Sequence, residues 1–156
     1  MPHKRDEIRR FLVESLKNKT PVKDNVFNWR IRPIQNDNEL PCISVIIPDE
    51  TAMEISGAQD LIHRNAEVYI VIYNTVSHKD DNMCDELAKQ VEAVLNNLNH
   101  KEFLFKYKKM QISTDNQSTK ILIQCSLIYE CLYFTKECPE INTDNFSQLS
   151  IEVSHG

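Results

Sequence analysis

Glycine is nearly absent from this chain, with two in 156 residues, Gly57 and Gly156. Tight primed hairpin turns and phosphate-cradling loops both use glycine at positive φ, so neither is expected here. Connections should instead be longer and built on Asn or Asp, at Asn74, Asn82, Asn96–Asn97, Asn99 and Asp115–Asn116. No GxGxxG, GKS, GKT or GxSxG motif occurs. Long apolar runs are missing too. The longest, Val68–Tyr73, falls far short of the roughly 20 residues of a membrane-spanning helix. The start, Met1-Pro2-His3-Lys4-Arg5-Asp6-Glu7, leads into an amphipathic helix rather than an apolar signal core, which predicts a cytoplasmic product made without export.

Basic charge is in deficit. Eighteen Lys and Arg stand against 23 Asp and Glu, a net charge of −5, which argues against direct nucleic-acid binding. Lys106, Lys108 and Lys109 form the one local basic group and read as a solvated strand face. The five cysteines, at 42, 84, 125, 131 and 138, are odd in number and read as small buried apolar residues rather than a disulfide framework. Cys125 and Cys131 fall in one predicted strand, ~20 Å apart at ~3.3 Å per residue, too far to bridge.

What is present is two strongly β-patterned runs. Pro41 and Pro48 bracket the first, which predicts a strand over 41–47 that starts and stops at proline. The second, Ala66–Tyr73, is apolar on both faces apart from Glu67, the pattern of a central strand covered on each side. Between them the 49–65 stretch carries four acidic residues, one glycine and no nucleophile–base pair, and reads as a docking loop.

Around these runs, Lys4–Asn18 reads as a helix with Ile8, Phe11, Leu12, Ser15 and Leu16 in one stripe. Val26–Ile34 suggests a short strand. A second helix is predicted from an Asp80 or Asp81 cap to about Leu98, with Cys84, Leu87, Ala88, Val91, Val94, Leu95 and Leu98 facing the sheet. Two last strands, 103–113 and 119–134, should pair antiparallel across a Thr114–Ser118 turn. In the final strand Ile121, Ile123, Cys125, Leu127, Tyr129, Cys131 and Tyr133 share one face. Gln124, Ser126 and Glu130 make the other partly wet, or ready for a partner. The expected fold is α/β (α+β), a mixed, mainly antiparallel sheet of about four to five strands with two main helices packed on it. Residues 1–134 form the domain and 135–156 a C-terminal arm, in which Leu149, Ile151 and Val153 alternate with Ser150, Glu152 and Ser154. That arm reads as flexible or as an extra strand for an open sheet edge.

No catalytic residue or metal set emerges. His63, His78, Cys84 and Asp85 lack ligand spacing, and a Cys–His pair would require Cys125 or Cys131 to leave the core face.

The segment order and local wording resemble the phage tail terminator family, the minor tail protein U of long-tailed phages. The resemblance runs through Arg5–Leu16, Arg32-Pro33, Glu39–Val45, Asp49–Glu54, Ala66–Ile72, the 81–98 helix and Leu127–Glu130. It implies a non-enzymatic assembly protein of the virion tail, assembled in the bacterial host cytoplasm from a phage or prophage. Its partners would be itself as a homo-oligomer, expected to be a hexameric ring, the tail tube protein and the head–tail connector. No membrane and no cofactor are implied, although a divalent cation such as Mg²⁺ would ease the approach of acidic surfaces. Asp49, Glu50, Glu54 and Asp60 are the candidate partner contacts. The alternatives are another neck or head-completion protein, or a small cytosolic cysteine-dependent enzyme.

Overall fold

The computed structural model describes residues 3–28, 40–53, 61–76, 83–117 and 120–136. Among them the order is α1 (Lys4–Leu16), β1 (Val26–Asn28), β2 (Cys42–Ala52), β3 (Leu61–Val76), α2 (Met83–Asn96), β4 (Leu104–Gln117) and β5 (Lys120–Lys136). The strands form one mixed sheet in the order β1-β2-β3-β5-β4, with β1 parallel to β2 and every other pair antiparallel. The expected α+β architecture is the one observed.

α1 starts where His3 accepts the Arg5 amide on Nδ1 at 3.1 Å, and Asp6 and Glu7 place negative charge in the first turn. Lys4–Glu7, Arg9–Asp6 and Arg10–Asp6 pairs staple its outer surface. Ile8, Leu12, Val13 and Leu16 are buried. α2 buries Cys84, Leu87, Ala88, Val91 and Leu95, the stripe its spacing predicts. The Asp80 and Asp81 caps, and the 29–34 part of the first predicted strand, lie outside the described residues.

Both helices cover the same sheet face. Their apolar stripes meet Ile43, Val45 and Ile47 of β2, Ala66, Val68, Ile70 and Ile72 of β3, and Cys125, Leu127, Tyr129, Cys131 and Tyr133 of β5 in one core. Deleting a fully buried side chain from it, as in Leu12→Ala, costs about 2–5 kcal/mol.

Four expectations need correcting. β2 does not stop at Pro48. One extra residue is accommodated between Ile46 and Asp49, and the strand resumes to Ala52. A proline with no amide to donate is tolerated where a bulge already interrupts the ladder. The 49–65 stretch is therefore largely paired strand rather than loop, with Asp49↔Glu67, Glu50↔Ala66, Thr51↔Asn65 and Ala52↔Arg64 in register. Only residues 54–60 of it are outside the described part.

β3 is the central strand; the described helices lie over one of its faces, and on the other Val71, with Ser44 of β2 and Ser126 and Ile128 of β5, is buried as well. Tyr69 and Tyr73, which read as apolar, present amphipathic rings there beside Glu67. The last two strands also run further than expected, pairing to Gln117↔Lys120, so Thr114–Gln117 are strand and the connection is only 118–119. Likewise Asn74 is buried inside β3 and Asp115–Asn116 lie in β4; among the described residues positive φ occurs instead at Asn18 (61°) and Lys23 (57°), and Asn82 lies outside them.

Candidate functional site

The sheet face that no described helix covers and the hairpin that prolongs β2 and β3 are the features left over once the helix-side core is accounted for. On that face the registers place three carboxylates in one row across neighbouring strands: Asp49 opposite Glu67, and Glu67 opposite Glu130. Like charges directly opposite one another cost stability, here by a few tenths of a kcal/mol to about 1 kcal/mol. The row is answered at one end, where Lys106 stands opposite Glu130 and Lys108 Nζ lies 4.0 Å from its Oε1. Glu67 sits between two acids, and its Oε1 accepts the Tyr69 hydroxyl at 3.2 Å. Desolvation, then the charge of Glu67, raises the Tyr69 phenol above its ordinary value. Beside the row lies a shallow groove of about 550 Å³, walled by Ile46, Tyr69, Val71, Gln111, Gln124 and Ser126.

The four candidate contacts predicted from sequence separate. Asp49 is exposed beside the β2 bulge. Glu50, its neighbour, points to the other face, where its side chain is only 6% exposed and its Oε2 meets Arg64 Nη1 at 3.1 Å and Arg5 Nη1 at 3.4 Å. Arg64 Nε in turn donates to Thr135 Oγ1 at 2.6 Å. Glu50 thus ties α1, β2, β3 and the end of β5 together and is held inside the fold. Strand alternation explains the split: adjacent residues of a strand face opposite ways. Glu54 and Asp60 lie outside the described residues.

Glu67 and Glu130, the other two members of the row, were not among the four candidates, although Glu130 already stood on the wetter face of the last strand. A row across three strands is invisible until the register is known, and the only sequence signal was a lone acid in each apolar run.

Chemistry for catalysis is not assembled among the described residues. Cys42, Cys84, Cys125 and Cys131 are buried thiols rather than halves of a disulfide. Burial pushes the Cys125 thiol up to about 11 and Cys131 up to about 12, which disfavours the thiolate a nucleophile needs. His63 stacks on Phe134 at 4.6 Å and His100 on Phe103 at 4.2 Å. No group of three His, Cys, Asp or Glu among the described residues is placed to hold a metal ion, and no helix there is long and apolar enough to cross a membrane.

Among the described residues the site is a sheet face carrying a carboxylate row beside a paired hairpin, with the thiols buried in the core. The sequence profile of the phage minor tail protein U family matches residues 3–133, and the chain belongs to that family. It is accordingly a structural protein of the phage tail. No curated protein matches the chain.

Proposed function

We propose that this tail protein is a tail terminator: copies close into a six-membered ring that seats on the end of the tail tube, blocks addition of the next tube subunit and offers its far side to the head connector. The role is non-catalytic. The observation that carries this reading is the acid-striped sheet face, covered by no described helix and joined to a hairpin, on a member of the minor tail protein U family. Among the described residues β1 is an outer strand, and an open strand edge is a surface with which another protein can pair. Head-to-tail contacts between identical copies close when the rotation per subunit fits, giving a ring rather than a filament.

Asp49 is the described contact on this reading, with Glu54 and Asp60 in the segment that joins the two hairpin strands, and Glu67 and Glu130 joining them on the sheet face. Because the row repels itself, a basic partner surface or a divalent cation such as Mg²⁺ would strengthen the contact. The test is to change Asp49, Glu67 and Glu130 to Lys together and to follow ring mass by light scattering and tube elongation by electron microscopy. Loss of capping in a folded triple variant supports the reading. Undiminished rings and capping would remove it, and rings that leave tubes uncapped would move the protein to another place in the neck.

A further inference from the structure

β4 is the outer strand of the sheet, and its two faces differ sharply. α2 lies over β3 and β5. On the helix side, Tyr107, Met110 and Ile112 pair in register with buried Tyr129, Leu127 and Cys125, yet remain 49%, 41% and 50% exposed. On the other side stand Lys106 and Lys109, opposite Glu130 and Ile128, with Lys108 reaching Glu130. The outer rim of such a strand presents unpaired backbone donors and acceptors. This edge is therefore apolar on one side and basic on the other, and no strand among the described residues pairs with its outer side.

The chain itself carries a matching strip. Residues 137–156 hold four acids, Glu137, Glu140, Asp144 and Glu152, and no Lys or Arg. Within them Leu149, Ile151 and Val153 alternate with Ser150, Glu152 and Ser154. Laid beside β4, one facing puts the three apolar side chains next to Tyr107, Met110 and Ile112 and sends Glu152 to the side of Lys106 and Lys109. A one-residue slip would reverse every match, so the pattern selects a single facing. The matched family region ends at residue 133, so this strip lies outside it.

Position agrees with chemistry. β5 ends at the end of the sheet where β4 begins, with Leu132 opposite Leu104. From Lys136 the strip has to pass β4 to reach its outer rim, about 10 Å at two strand spacings. The twelve residues 137–148 span up to ~40 Å extended. Being tethered, the strip meets its own β4 at a high effective concentration.

We propose that residues 149–153 add to the outer edge of β4 of their own subunit as a sixth strand, shielding an edge that would otherwise pair with other chains. The inference stands apart from the tail-terminator reading and survives its failure.

Hydrogen–deuterium exchange on the full chain tests it, comparing the native sequence with Ile151→Pro, which removes a donor in a segment the core does not need. The expected result is that outward-facing β4 amides exchange about tenfold faster in the proline variant, with native protection independent of protein concentration. Equal exchange in the two proteins would overturn the proposal. A second measurement is zero-length carbodiimide coupling of a mixture of isotopically heavy and light chains. Coupling of Glu152 to Lys106 or Lys109 within one chain supports the proposal. Mixed heavy–light products, or protection that rises with concentration, would assign the strip to a second copy and overturn it.

Discussion

Neutralising Glu50 should cost stability rather than binding. Glu50→Gln keeps the shape but removes the charge between Arg64 Nη1 at 3.1 Å and Arg5 Nη1 at 3.4 Å. Removing one member of a fully buried ion pair costs about 3–5 kcal/mol, because the remaining charge is stranded. Here the carboxylate is 6% exposed, but Arg64 is 26% and Arg5 42% exposed and keep part of their hydration, which reduces the cost to about 2 kcal/mol. For a chain of this size that lowers Tm by about 4–8 °C. Calorimetry with urea unfolding would read it, beside Asp49→Asn, an exposed change next door expected to stay within about 0.5 kcal/mol. A double-mutant cycle of Glu50→Gln with Arg64→Gln should give a coupling of about 1 kcal/mol or more. If Glu50→Gln unfolds like the native chain while ring formation or tube capping fails, Glu50 is a contact residue and the internal assignment is wrong.

Further outcomes follow from the same geometry. Glu67→Gln relieves the carboxylate row and should raise stability by a few tenths of a kcal/mol to about 1 kcal/mol in urea unfolding, most clearly at low salt; a loss of stability would contradict the row. Cys125 and Cys131 should resist alkylation at pH 8 in the folded protein and react once it is unfolded; rapid labelling in the native state would revive a thiol enzyme. The unfolded thiols release their protons near 9 while the buried ones hold theirs to about 11 and 12. Stability is therefore fully present below about pH 9 and falls as pH rises from there toward 12, which pH-resolved denaturation can follow. Tyr133→Phe, which deletes a buried hydroxyl without a partner among the described residues, should be neutral or stabilising by up to about 1 kcal/mol, whereas Tyr133→Ala should cost about 3–5 kcal/mol.

Much of the fold was legible from periodicity. The α1 and α2 stripes, the alternation in β5 and the central place of β3 all follow from which residues must avoid water. What the sequence hid depends on pairing between strands. Pro48 looks like a stop until the bulge between Ile46 and Asp49 absorbs it, and the acids after it look like loop until they pair with Arg64–Glu67. The site was half legible for the same reason. Asp49 and Glu50 are equivalent as letters, but strand alternation sends one to solvent and the other to Arg5 and Arg64. The row Asp49–Glu67–Glu130 exists only through register. The family resemblance, by contrast, was carried by local wording and segment order, and it holds over residues 3–133.

On the proposed function, this chain ends tail-tube growth as a ring. Purified protein added to polymerising tail-tube subunits, with particles imaged by electron microscopy and mass followed by light scattering, tests it most directly. The expected result is six-subunit rings seated on tube ends and a tube length that stops increasing once they bind. Monomers that leave the ends bare while tubes keep lengthening would contradict it.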